Sequence, residues 1–425
     1  MKNVRVAVFP AGSEIGLEIC SALQYDKYVE LIGLTSVRDH AEMVYRETET
    51  VPYYQEEDFI EKLNEVLERA QVDYLYPAYD DVLLFLTRRQ REIHAKIITT
   101  EPETIEITRF KRKTYEFLKC EPFVPKVYSS REKVERYPVF VKPDRGQGAQ
   151  GTQKIEKEAD WGKVEDLESM VITEYLPGEE VTVDCFTDGN GVLCAYEPRR
   201  RIRIKSGIAV RSEVMDEDFA ITDIANVLNG RLQFKGAWFF QLKKNQEGEY
   251  RLLEIAARVA GTMGLGRSMG INYPLLTLYV HMGLETEVIP NSYHACVDRA
   301  LVSRYELSLD YRTVYVDLDD TLILKGQVND LLIRYLYQCV NKGKRLVLLS
   351  RHAGDMGDYL RRFRISEELF DQIVFVGDSP KSEYVQDKRA ILIDDSFRER
   401  KEVMRNCGFP VFGTENVESL IDWRR

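Results

Sequence analysis

Residues 138–152 read P-V-F-V-K-P-D-R-G-Q-G-A-Q-G-T, and the fold turns on what this stretch is and is not. Val139, Phe140 and Val141 form a short β-prone run that delivers Lys142. A loop follows with glycines at 146, 148 and 151, where backbone approaches a ligand without interference from Cβ. Such a loop is suited to cradling phosphate. It lacks the G-K-[ST] ending of a P-loop, and it leads into a second β-like run, Gln153–Ile155, rather than into a helix. The stretch therefore joins two strands over a phosphate and is not a dinucleotide-binding turn.

Outward from that loop, Val171–Asp184 reads V-I-T-E-Y-L-P-G-E-E-V-T-V-D, two β-type runs joined by Leu-Pro-Gly with carboxylates on both sides. Ala237–Arg258 reads as a hairpin whose Asn245–Gly248 turn joins A-W-F-F-Q-L-K to Y-R-L-L-E-I-A-A-R. With the strand period of two, Glu254, Ala256 and Arg258 share one face of the second strand, and Gln241 stands on the partner strand. An oxygen ligand on each strand with an arginine nearby suits Mg²⁺ bridging nucleotide phosphates.

In this order the motifs resemble the ATP-grasp superfamily, in particular its carboxylate-amine ligase and carbamoyl-phosphate-synthase-like members, over roughly residues 1–300. The resemblance implies ATP and Mg²⁺ as cofactors. It makes Lys142 a contact to the α- and β-phosphates, under the loop that holds Gly146 and Gly148, and Glu174, Tyr175 and Leu176 the adenine-binding hinge. Glu180 becomes the ribose ligand, Gln241 and Glu254 the Mg²⁺ ligands, and Arg258 a contact to the γ-phosphate or an acyl phosphate. Lys111 resembles the first nucleotide-binding lysine, with Lys113 as the alternative. Many members carry Asn two residues after the second acidic ligand; here that position is Ala256, which bears on the shell of a second metal.

Arg199, Arg201, Arg203 and Lys205 alternate with Arg200, Ile202 and Ile204, so a strand there presents four cations on one face. That face either neutralises triphosphate and an anionic substrate or is a solvated edge strand protected by charge. Its position between hinge and metal hairpin favours the first.

The length of 425 residues suggests about three domains at roughly 150 residues each. A hydrophobic content of 44% with 30% charged residues describes a chain that buries full cores. A net charge of −11 argues against nucleic acid as a partner. The cysteines (Cys20, Cys120, Cys185, Cys194, Cys296, Cys339, Cys407) are scattered and form no C-x-x-C, as expected of a reducing cytoplasm, and the five histidines show no ligand spacing. No apolar run is long enough for a signal-peptide core or a membrane span, so neither export nor a membrane partner is expected.

At the start, Asn3–Pro10 reads as a buried strand, followed by a helix capped by Ser13 and running through Leu23. Strand signals at Val29–Leu34, Asp73–Tyr76 and Lys96–Thr99 alternate with helical ones. The clearest helix is Glu57–Ala70, with Phe59, Leu63, Val66 and Leu67 on one face. Alternating β and α elements imply a small parallel sheet, a Rossmann-like domain ahead of the ATP-grasp core.

Across 285–311 the pattern changes without a Gly/Ser-rich linker, and beyond it Val314–Leu322 reads V-Y-V-D-L-D-D-T-L. A buried strand ending in Asp317, with Asp319 two residues on, places two carboxylates at the carboxyl edge of a sheet, where open α/β folds keep their chemistry. One ionised carboxylate attacks phosphorus and the other supplies a proton to the leaving group. Further on, R-L-V-L-L-S ends in Ser350, S-P-K places Lys381 in a loop, and A-I-L-I-D-D-S ends in Asp394 and Asp395. This resembles the haloacid dehalogenase (HAD) phosphatases over roughly residues 312–425. The resemblance implies Asp317 as nucleophile, Asp319 as general acid/base, Ser350 and Lys381 as phosphate binders (Lys388 being the lesser choice for the lysine), and Asp394 and Asp395 on the Mg²⁺ side with Asp317 and Asp319. The intervals Asp317–Ser350 and Ser350–Lys381 each match one βαβ unit of roughly 30 residues, which leaves no room for a cap domain.

The expected architecture is α/β in three parts: a Rossmann-like pre-ATP-grasp domain at 1–105, an ATP-grasp α+β core at 106–307 and a capless HAD domain at 308–425. The expected function is bifunctional. An ATP-dependent carboxylate-amine ligase works through an acyl phosphate, and a Mg²⁺-dependent phosphatase acts on a related phosphorylated metabolite. The alternative, kept alive by Ala256, is a nucleotide-binding module that regulates a phosphatase as the sole enzyme. Small-molecule carboxylate and amine substrates are the expected partners, and assembly into a homo-oligomer is left open.

Overall fold

The apolar run Val4–Phe9 is the central strand, β1, of a five-stranded parallel sheet. Its partners are β2 (Val29–Thr35), β3 (Glu47–Thr50), β4 (Tyr74–Pro77) and β5 (Lys96–Ile97), in the order β3-β2-β1-β4-β5. The structure is a computed structural model that describes residues 2–146, 150–164 and 166–424. Ser13 Oγ accepts a hydrogen bond from the Gly16 N–H and starts helix Glu14–Leu23. Helix Phe59–Arg69 buries Phe59, Leu63, Val66 and Leu67 as its periodicity requires.

Two antiparallel sheets follow. The first holds β6 (Val127–Tyr128), β7 (Val139–Pro143), β8 (Gln153–Ile155) and β9 (Met170–Glu174), in the order β6-β9-β7-β8. The second holds β10 (Glu180–Thr187), β11 (Leu193–Lys205), β12 (Ile208–Val214), β13 (Gly236–Lys244), β14 (Tyr250–Ala256) and β15 (Cys296–Asp298), in the order β14-β13-β10-β11-β12-β15. Trp238 anchors this sheet. Its ring stacks on Phe234 with centroids 3.9 Å apart, and its Nε1–H donates to Thr187 Oγ1 at 2.8 Å, so the buried indole has its polar group paired.

The chain divides into two compact units, one running to Leu301 and the other spanning Val302–Arg424, against an expected boundary at 307/308. The first unit does not divide again near residue 105. Val6, Val8 and Ile19 share one apolar cluster with Phe239, Val259, Met263 and Tyr273, so the parallel sheet and the larger antiparallel sheet bury a common core.

Two expectations about sheet faces need correction. β14 ends at Ala256, so Arg258 lies beyond the strand and its direction is not set by the alternation of that strand. The four cations of β11 do not share a face either, because the pairing with β12 slips between Arg201 and Arg203 and again between Arg203 and Ile204. Arg199 and Arg201 remain turned to the interior, while Arg203 is exposed and pairs with Asp298 at 2.7 Å. β11 is also not an edge strand, since β12 and β15 lie outside it.

The second unit is a five-stranded parallel sheet of β16 (Thr313–Val316), β19 (Arg345–Ser350), β20 (Gln372–Phe375), β21 (Ala390–Ile393) and β22 (Val411–Phe412). Its order is β20-β19-β16-β21-β22. A small hairpin, β17 (Ile323–Leu324) with β18 (Gln327–Val328), and helix Asp330–Asn341 fill the interval from Asp317 to Ser350. Among the described residues no helix is long and apolar enough to cross a membrane.

Candidate active sites

In the first unit the inner face of the larger antiparallel sheet carries polar residues in register. Glu254 on β14 lies opposite Gln241 on β13, Gln241 opposite Thr182 on β10, and Thr182 opposite Arg199 on β11. One step along, Lys243 lies opposite Glu180. These residues form part of the wall of a cavity of about 500 Å³. Its lining contains seven Lys or Arg side chains (Lys111, Lys142, Arg199, Arg201, Lys243, Arg258, Arg299) against four Glu (Glu14, Glu174, Glu180, Glu254). Cations outnumber carboxylates in this lining, although the chain as a whole carries a net charge of −11.

Lys142 enters from β7. Its buried Nζ donates to Tyr115 Oη at 2.6 Å and to the Leu253 carbonyl at 3.1 Å. Burial, and after it the Lys111 charge, pull Lys142 down to about 7 against the opposing pull of Glu254 and Glu180. Lys111 lines the same cavity, whereas Lys113 pairs with Glu106 at 2.9 Å and is absent from the lining. Glu174, Tyr175, Leu176 and Glu180 line it as well. The Glu174 carboxylate accepts the Lys126 backbone N–H at 2.9 Å, which ties the end of β9 to β6. Gly146 lines it too; Gly148 lies outside the described residues.

Arg258 reaches the cavity, but its guanidinium is held by Asp80 through two bonds, Nε to Oδ1 at 2.8 Å and Nη2 to Oδ2 at 2.5 Å. Asp80 carries no sequence signal of a site role, and nothing in the spacing links it to Arg258. The same is true of Glu14 and Arg299, which pair at 3.0 Å within the lining. The buried Arg199 is likewise engaged, with Asp184 at 2.8 Å.

The second unit places acidic residues at the carboxyl edge of its sheet. Asp317 follows β16, Ser350 ends β19, and Asp394 and Asp395 follow β21. Lys381 Nζ sits between Asp317 Oδ1 and Asp394 Oδ2, 2.6 Å from each. Burial pushes Asp317 up to about 6, with Lys381 pulling it down and Asp394 adding to the rise. For Lys381 burial works downward, yet the two carboxylates prevail and its value is raised. Thr321 Oγ1 stands 3.2 Å from both Asp317 Oδ2 and Asp395 Oδ1. Asp317, Asp394 and Asp395 each offer an oxygen within 4.8 Å of the others, a hard-oxygen set that fits Mg²⁺. Asp319 is not in that group; its carboxylate meets His352 Nδ1 at 3.0 Å and is half-exposed. Lys388 is exposed and no partner to the cluster, which is occupied by Lys381.

Residues 166–299 match the family described as ATP-grasp in the biosynthetic pathway with Ter operon. The biotin carboxylase domain of a 2-oxoglutarate carboxylase from Hydrogenobacter thermophilus, in complex with MgADP, ADP and bicarbonate, superposes with a TM-score of 0.58 at 13% identity over 70% of this chain and 74% of that one. The first unit has the ATP-grasp fold. N5-carboxyaminoimidazole synthetase from Staphylococcus aureus, complexed with ADP, is similar to this chain at 16% identity and a TM-score of 0.56, covering 68% of this chain and 80% of its own. An L-amino acid ligase from Bacillus licheniformis is similar at 15% identity and a TM-score of 0.54, with 68% and 78% covered. No curated protein matches the sequence. ATP and Mg²⁺ are the cofactors that go with the ATP-grasp match, and that match does not reach Val302–Arg424.

Proposed function

We propose that the ATP-grasp unit is a ligase that phosphorylates a small-molecule carboxylate with ATP and passes the acyl group to an amine. The observation that carries this reading is the cavity wall on which Glu254 and Gln241 stand opposite each other across β13 and β14, within reach of a lining rich in cations. The donors are one carboxylate and one amide oxygen, which fit a hard divalent ion. Glu254 and Gln241 would hold Mg²⁺, which would supply charge shielding at the phosphates. Lys142 and Lys111 hold the phosphate chain, Glu174 to Leu176 the base, and Glu180 the ribose. The substrate carboxylate attacks the γ-phosphorus and ADP leaves; the amine then attacks the acyl carbon, and phosphate leaves. Catalysis is chiefly positioning and charge neutralisation by groups already in place.

Substitution tests the placement. Glu254→Ala and Lys142→Ala should each abolish stabilisation by Mg-ATP while leaving the fold intact. At a ligand concentration near 100 times Kd, the stabilisation lost is about 2.7 kcal/mol. Unchanged ATP affinity in both variants would sink the site.

For the second unit we propose a phosphohydrolase of the HAD type that is open at the carboxyl edge of its sheet. What favours it is the pairing of a buried Lys381 with Asp317 and Asp394 next to Asp395. Asp317 is the nucleophile, and Ser350 and Lys381 hold the transferred phosphoryl group. Asp394 and Asp395 hold the metal with Asp317, and Asp319 protonates the leaving oxygen. A phosphorylated metabolite is the substrate class. Asp317→Asn should remove phosphatase activity on small phosphate esters, and retained turnover would refute the assignment.

A further inference from the structure

On β13 and β14 the cavity wall offers a second divalent ion no carboxylate of its own. Magnesium prefers six oxygens in near-octahedral array, usually with one or two carboxylates among them. Here Glu254 supplies the one carboxylate of the β13–β14 pair, Gln241 is neutral, and Ala256 has no side-chain donor. Glu180, the next carboxylate along the face, is engaged by cations on two sides, Arg201 and Lys243, the latter at 3.8 Å.

Arg201 occupies the place between them. Its side chain is 8% exposed, yet it lines the cavity. Nη1 donates to Glu180 and, at 3.2 Å, to Gln241 Oε1, while Nη2 donates to the Gly207 carbonyl at 2.7 Å. Nε is buried and has no hydrogen-bond partner among the described residues. An unpaired guanidinium N–H in a buried position costs stability unless a ligand meets it. The guanidinium also puts a positive charge beside Glu180, which disfavours a further cation at that carboxylate.

We propose that this site takes its nucleoside triphosphate with one divalent cation, and that Arg201 binds the polyphosphate chain and supplies the charge that a second cation would otherwise supply. This rests on the ATP reading of the cavity. The fixed planar fork of arginine suits the role, since it presents donors to phosphate oxygens while keeping its hold on Glu180.

The test is a count of bound metal. Mn²⁺ is titrated into the full-length protein with the non-hydrolysable analogue β,γ-imido-ATP, and the bound ions are counted by electron paramagnetic resonance. One Mn²⁺ per protein–nucleotide complex is expected; two would overturn the proposal. Calorimetry on Arg201→Ala and Arg201→Lys provides the second arm. In Arg201→Ala, affinity for β,γ-imido-ATP should fall at least about tenfold, while affinity for AMP changes less than twofold. Equal losses for both ligands would show that Arg201 only holds Glu180 in place, and would overturn the phosphate role. Arg201→Lys, which retains the charge, should recover part of the loss, and no recovery would count against a role in charge. Failure of the wild-type protein to bind any adenine nucleotide would be a distinct result, ending the ATP reading and this proposal together.

Discussion

Lys142 shows how much a single buried ammonium can report. Tyr115 and the Leu253 carbonyl give it two neutral partners in place of a counter-ion, and burial lowers it from 10.5 to about 7. Between those two values the unfolded chain binds the proton and the folded chain does not. The stability contributed by this group is therefore present above 10.5 and is lost as pH falls through 7. Phosphate beside the amine restores the charged form, so nucleotide binding should take up protons. Calorimetry at about pH 8 in two buffers of different ionisation enthalpy should show uptake in the wild-type protein and none in Lys142→Met. Equal proton counts in the two proteins would remove Lys142 from the phosphate site.

Gly236 marks the element scale, because it opens β13, the strand that presents Gln241. Its φ of +89° is one that L side chains rarely adopt, and a Cβ there would lie 2.4 Å from Thr277 Cγ2. Thr277 is itself fixed, since its hydroxyl accepts the Ala237 N–H at 2.8 Å. Gly236→Ala should therefore destabilise the ATP-grasp unit by about 2–4 kcal/mol, read as a lower melting temperature of that unit. An unchanged transition would show that β13 can shift without cost.

The same scale shows what could be read from the chain. Strands β7, β8 and β10, the capped first helix and the β13–β14 hairpin were legible because local alternation, a capping serine and a turn each leave a mark in a few adjacent residues. The β11 cations were read less well. Alternation assumes regular pairing, and the register slips after Arg201 follow from how β12 meets β11, which no property of β11 alone encodes. Long-range partners were invisible for a related reason. Asp80 clamps Arg258 and Glu14 meets Arg299 only because the parallel sheet shares a core with the antiparallel one. At the carboxyl edge of the second unit's sheet the motif spacing gave Asp317, Lys381, Asp394 and Asp395 together. It did not give the turn of Asp319 toward His352, which depends on where the chain runs after β19.

On the scale of the whole chain, the two compact units carry separate constellations of side chains. Asp317→Asn should abolish phosphatase turnover while ATP consumption by the first unit continues at the wild-type rate. Loss of ATP consumption in correctly folded Asp317→Asn protein would mean that the two chemistries depend on each other. The central claim is transfer of the γ-phosphoryl group to a carboxylate, and the most direct measurement follows the fate of ATP. Full-length protein with Mg²⁺, ATP and pooled carboxylates and amines is sampled by phosphorus NMR and mass spectrometry. ADP and inorganic phosphate, formed only when a carboxylate is present, are the predicted products; AMP and pyrophosphate as the main products would contradict the account.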